Sequence, residues 1–86
     1  MSTILITGAS SGFGRACAEK FAVGGNKLIL AARRQDRLES LSSKLSAQAE
    51  VHTMTLDVRQ REAVTDQLAA LPEAFRDVDI LINNAG

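Results

Sequence analysis

Four short apolar, partly β-branched runs alternate with three stretches of helical periodicity along this 86-residue chain, and that alternation leaves few folds open. Thr3 to Thr7, Lys27 to Ala32, Val51 to Leu56 and Val78 to Ile82 read as strands; the second is almost continuously apolar, as in a parallel strand covered on both faces. Between them, Phe13, Cys17 and Phe21 recur at helical spacing, and Leu38, Leu41 and Leu45 do the same with Asp36, Arg37, Glu39 and Lys44 in the gaps. Val64, Leu68 and Leu71 mark a third helix that Pro72 closes, while Gly24-Gly25 supplies a left-handed cap to the first. Strands and helices joined in this order by short connections predict right-handed βαβ units. The expected fold is α/β, a Rossmann-type parallel sheet of four strands ordered 3-2-1-4 with three helices, forming the amino-terminal part of a doubly wound domain.

A chain this short holds one small domain or a piece of a larger one. Residues 1–86 are expected to be the dinucleotide-binding part of one such domain, because the sequence stops directly after the fourth strand with no helix to cover that edge. Hydrophobic residues at 45% and charged residues at 23% match ordinary globular composition and argue against disorder. Ten basic residues balance ten acidic ones, so the chain lacks the net positive field that would hold nucleic acid or an anionic membrane. The first residues run straight into a strand with no cationic and apolar leader, and a cytoplasmic location is expected. The single cysteine, Cys17, cannot form an internal disulfide, and no Cys/His grouping suggests a metal. Cys17 reads as a packing residue, and His52, inside a strand with no partner for acid-base chemistry, as structural.

The chemistry concentrates in Gly8-Ala9-Ser10-Ser11-Gly12-Phe13-Gly14, which follows the first strand and opens the first helix. Three glycines there let backbone approach a ligand closely, and outward N–H groups at the helix start suit a pyrophosphate. Glycine-rich turns occur in many folds, but the place of this one, after the first strand and at the head of a βαβαβ series, favours dinucleotide binding over a plain βα turn. An ATPase-type phosphate loop requires Lys followed by Ser or Thr after its last glycine, and Arg15-Ala16 are not that pair. At the end of the second strand, where NAD enzymes carry an acid for the ribose hydroxyls, stands Ala32, followed by Arg33 and Arg34. A guanidinium fork matches a 2′-phosphate that a carboxylate would repel, so the expected cofactor is NADP. Asp36, the rival acid, falls beyond the strand, where it begins the Leu38 helix.

TGASSGFG after the first strand, LDV at Leu56 to Val58 and NNAG at Asn83 to Gly86 resemble, in the same order, the motifs of the short-chain dehydrogenase/reductase family. The resemblance implies that Gly8 to Gly14 contact the pyrophosphate and ribose and that Asp57 accepts a hydrogen bond from the adenine amino group. It further implies that Val58 lines the adenine pocket, that Asn84, Ala85 and Gly86 run beside the nicotinamide ribose, and that Asn83 holds the central strands together. AARRQDRLESL, LDVRQREAV and LPEAFRDVDILINNAG are similar more specifically to the NADP-dependent 3-hydroxy acid dehydrogenase branch, which includes serine and L-allo-threonine dehydrogenases.

By the same resemblance, catalysis in the family is completed by Ser, Tyr and Lys downstream of NNAG, with Tyr as general acid or base on the alcohol oxygen. This chain contains no tyrosine, and none of its residues is assigned a catalytic role. The implied partners are a small alcohol or carbonyl substrate and, in a full-length protein, the other subunits of a homotetramer. Two other readings stay open on the sequence: a nonenzymatic NADP-sensing protein on the same fold, and a fragment without nucleotide activity.

Overall fold

A computed structural model of the protein describes residues 2–10, 12–57 and 59–84. The elements follow in the order β1 (Thr3–Thr7), α1 (Gly12–Val23), β2 (Lys27–Ala32), α2 (Gln35–Leu45), β3 (Val51–Thr55), α3 (Arg61–Ala69), a 3-10 turn at Glu73–Phe75, and β4 (Ile80–Asn83). The strands form one sheet ordered β3-β2-β1-β4. Every pairing is parallel, with Thr3 opposite Lys27, Leu28 opposite Val51 and Ile4 opposite Ile80. All four strands therefore end at one edge, and the strand order reverses there beside β1.

Alternation along the strands divides the core into two layers. Ile4, Ile6, Leu28, Leu30 and Ala32 point to one face and pack with Ala18 and Ala22 of α1 and Leu38, Leu41 and Leu45 of α2. Leu5, Ile29, Ala31 and Met54 point to the other and pack with Leu56, Leu71 and the half-buried Val64 and Phe75. Ile4, Ile6, Leu28, Ile29, Leu30, Leu38 and Met54 are fully buried. Each such side chain contributes about 1.5–3 kcal/mol of transfer free energy, and five of the seven lie on β1 and β2, so these two inner strands anchor the fold.

The elements differ in detail from the sequence pattern. In α1 the buried stripe is Gly14, Ala18 and Ala22, while Phe13 is 67% exposed and Cys17 and Phe21 flank the core. Small residues take the inner stripe because α1 lies close to the ends of β1. Helix α3 buries no residue completely; Leu71, read as its last turn, lies beyond it and plugs the lower layer. The fourth strand starts at Ile80 instead of Val78, because the Val78 N–H turns back to the Arg76 carbonyl and Asp79 caps the start of β1. Asp79 accepts the Thr3 N–H on Oδ2 at 2.9 Å and donates its own N–H to the Thr3 carbonyl at 2.9 Å. Gly25, at φ 75°, ends α1 in the expected left-handed conformation, with its N–H on the Ala22 carbonyl at 3.1 Å.

Candidate nucleotide site

The glycine loop leaves β1 at the point where the strand order reverses, the crevice at which open parallel sheets take their ligands. Gly8 and Gly12 have φ of 63° and 54°, which side-chain-bearing residues adopt only with strain. Gly14 is required for a different reason: a Cβ there would collide with the Gly8 carbonyl oxygen and fall 2.9 Å from Asn84 Nδ2. The loop is thus folded onto the first turn of α1 with no room for a side chain between them. The buried Ala9 fixes the loop laterally, its N–H donating to the Ala31 carbonyl at 3.1 Å. The first turn of α1 carries no acidic side chain, so its dipole is left for an external anion.

Asn83 and Asn84 join this loop from β4. Thr7 Oγ1 donates to Asn83 Oδ1 at 2.9 Å and accepts the Asn84 N–H at 3.1 Å. Asn84 Nδ2 in turn donates to the Gly8 carbonyl at 3.2 Å. The ends of β1 and β4 and the start of the glycine loop are therefore one hydrogen-bonded unit, the strand-holding role expected of Asn83.

Arg33 and Arg34 project from the end of β2, both exposed. Arg34 also stands at the amino end of α2 without a side-chain capping bond, its Nε 3.6 Å from Asp36 Oδ1. Ala32 has its side chain in the α1/α2 core layer and is only 8% exposed. Asp57 follows β3 on the same edge. Both of its oxygens are held by Arg59, which lowers its pKa to about 2 by side-chain and backbone hydrogen bonds, with a smaller contribution from the charge of Arg33. Arg33 and Asp57 thus stand at the ends of neighbouring strands, near enough for the arginine's charge to act on the carboxylate. Ser11, Val58, Ala85 and Gly86, also expected at the site, lie outside the described residues.

His52 packs against Phe75 with ring centroids 5.6 Å apart, as a structural residue would. Among the described residues no cluster of His, Cys, Asp and Glu could hold a metal ion, and no helix is long and apolar enough to cross a membrane. Sequence periodicity did not bring out Arg15, Arg37 and Lys44, which share a groove between α1 and α2. A signal was available in the small-residue stripe Gly14, Ala18 and Ala22, which turns Arg15 outward beside α2.

A sheet in this order, with a glycine loop packed into its reversal point, defines a Rossmann-type protein. The chain belongs to the short chain dehydrogenase family, whose model matches residues 2–86. It is 55% identical over 83 residues to sulfoacetaldehyde reductase 2 of Chromohalobacter salexigens, covering 96% of this chain and 33% of that protein. It is 51% identical over 84 residues to serine 3-dehydrogenase of Rhizobium radiobacter, covering 98% of this chain and 33% of that protein. Among solved structures, the closed form of serine dehydrogenase complexed with NADP+ matches with a TM-score of 0.86 at 42% identity, over 96% of this chain and 33% of that one. L-sorbose reductase from Gluconobacter frateurii, complexed with NADPH and L-sorbose, matches with a TM-score of 0.89 at 38% identity, over 99% and 34%. The chain spans about a third of the length of the curated relatives it matches.

Proposed function

We propose that this chain is the NADP(H)-binding part of a short-chain oxidoreductase that transfers hydride between nicotinamide and an alcohol or carbonyl substrate. The observation that carries the reading is Gly14 seated against Gly8: the loop forms a cradle that a Cβ would fill, at the sheet edge where a dinucleotide binds. When bound, the cofactor supplies the hydride acceptor or donor. The chain's own residues bind and orient it. Backbone from Gly8 to Gly14, including Ala9, Ser10, Ser11, Gly12 and Phe13, receives the pyrophosphate and ribose. Arg33 and Arg34 receive the 2′-phosphate, and Asp57 and Val58 receive the adenine. Asn84, Ala85 and Gly86 run along the nicotinamide ribose.

The substrate class follows from kinship: serine 3-dehydrogenase and the NADP-dependent 3-hydroxy acid dehydrogenases of enteric bacteria support a 3-hydroxy acid such as serine or allo-threonine. The sulfoacetaldehyde reductases support a small anionic aldehyde as the second substrate to assay. The full-length protein is proposed to work as a cytoplasmic homotetramer. The test is to titrate it with NADPH and NADH and then to assay L-serine, L-allo-threonine and sulfoacetaldehyde. NADPH binding more tightly than NADH, with turnover of one of these substrates, is the expected result. Binding of neither nucleotide would overturn the reading.

A further inference from the structure

Between α1 and α2 lies a cavity of about 460 Å3 lined by Ser10, Gly12, Arg15, Arg37, Ser40 and Lys44. It opens beside the glycine loop and carries three cations. Among the described residues one carboxylate, Glu19, pairs with two of them, leaving two positive charges in excess. Glu19 belongs chiefly to Lys44, whose Nζ is 2.6 Å from Oε2, and that hydrogen bond is the main cause of its lowered pKa; Arg15 Nε is 3.9 Å from the same oxygen. Arg37 makes no ion pair among the described residues, although it stands in the first turn of α2, where the helix dipole opposes a cation. An unpaired guanidinium there, across a groove from a second arginine and next to the start of α1, is unfavourable unless an anion joins it.

We propose that Arg37, with Arg15 across the groove, is a specificity-determining residue for the 2′-phosphate of NADP(H), in addition to Arg33. This rests on the NADP(H) reading above. The seven helical steps from Arg37 to Lys44 span roughly 10 Å, so the groove is longer than one phosphate. The anion belongs at the Ser10 and Arg37 end, because the Lys44 end is already neutralised by Glu19. Arg34, with Asp36 3.6 Å away, contributes less than Arg37.

The test measures dissociation constants of NADPH and NADH for the full-length protein and its Arg37→Ala, Arg37→Gln and Lys44→Ala variants. One charge-assisted contact corresponds to about tenfold in affinity, so both Arg37 variants are expected to bind NADPH about tenfold more weakly with NADH unchanged. Lys44→Ala is expected to leave NADPH affinity within about twofold, the ordinary scatter of a surface change. Equal loss of both nucleotides, no loss of NADPH, or a Lys44→Ala loss as large as that of Arg37→Ala would each overturn the assignment. A wild-type protein without preference for NADPH would overturn the functional reading itself, whereas a preference that is undiminished in both Arg37 variants would overturn only this inference.

Discussion

Arg59 clamps the Asp57 carboxylate from two directions. Asp57 Oδ2 accepts from Arg59 Nη2 at 2.7 Å and Nε at 3.1 Å, and Oδ1 accepts the Arg59 backbone N–H at 3.0 Å. The guanidinium is 76% exposed, so the pair adds little to stability in water. Its consequence is positional: the carboxylate that faces the proposed adenine pocket is held in one orientation at the end of β3.

Asp57 is therefore expected to remain ionised far below neutral pH. Its folded pKa of about 2 lies under the ordinary aspartate value of 3.8, so whatever it contributes to stability is fully present above 3.8 and is lost as pH falls through 2. Between pH 5 and 8 that contribution is constant. Carbon-13 NMR of aspartate-labelled full-length protein should show one carboxylate titrating near 2, moving up toward 3.8 in Arg59→Ala. An Asp57 that already titrates near 3.8 in the wild type would show that the clamp does not persist in solution.

Replacing Asp57 with Asn should weaken NADPH and NADH alike, since both carry adenine, by about 1 kcal/mol for one hydrogen bond. Calorimetric titration of both nucleotides checks this. A loss confined to NADPH would place Asp57 at the phosphate through Arg33 instead of at the base.

Gly14→Ala should be far more damaging than Gly24→Ala. At Gly14 the added Cβ meets backbone, the Gly8 carbonyl, which moves only if the loop moves; at Gly24 it comes no nearer than 3.1 Å, to Asn26 Nδ2, a side chain hydrogen-bonded to the Phe21 carbonyl that has to give only slightly. Overpacking of this kind costs typically 1–3 kcal/mol, and here it also displaces the loop that receives the pyrophosphate. Urea denaturation and NADPH titration should fall together in Gly14→Ala, with Gly24→Ala near wild type in binding.

Thr7→Val keeps the shape of the β1 end but removes the hydroxyl that serves Asn83 and the Asn84 N–H. Unpaired groups of this kind cost about 1–3 kcal/mol each when buried, less where water reaches them. The Asn84 amide should exchange faster with solvent while the amides of β2, paired with β1 and β3, keep their protection. Unchanged exchange at Asn84 would mean that β4 is fixed by its ladder to β1 alone.

The fold was legible because two periodicities, 2 and 3.6, switch cleanly along the chain, and the strand order follows from how βαβ units wind. The three glycines could be read as a ligand loop, but not why each is needed: Gly8 and Gly12 by torsion angle, Gly14 by a contact with Gly8 that exists only after folding. Phe13 misled because hydrophobic spacing cannot distinguish the stripe that packs from the one beside it; close approach of α1 to β1 selected Gly14, Ala18 and Ala22. Asp57 was visible in its motif, whereas Arg59 was not, since a clamp two residues along depends on the turn after β3. The groove of Arg15, Arg37 and Lys44 joins positions far apart in sequence on two helices, and no local pattern reveals it.

Cofactor preference should rest on charge at the end of β2 and should carry a pH signature. Arg33 is exposed and makes no ion pair among the described residues, so an incoming phosphate gains a cation without displacing a carboxylate from it. Arg33→Ala is expected to cost about 1.5 kcal/mol, about tenfold, in NADPH affinity and almost nothing in NADH affinity. The difference should shrink at high salt, because ions screen an exposed phosphate contact. A phosphate monoester has a second pKa near 6, so NADPH affinity should decline as pH falls below about 6 while NADH affinity stays level, Asp57 being ionised throughout. Titrating both nucleotides at pH 5, 6, 7 and 8, in wild type and Arg33→Ala, separates the effects: the pH dependence specific to NADPH should be reduced in the variant. Parallel profiles for the two nucleotides in wild type would show that the 2′-phosphate is not bound by charge, and Arg33 would then be a solvated residue at a strand end.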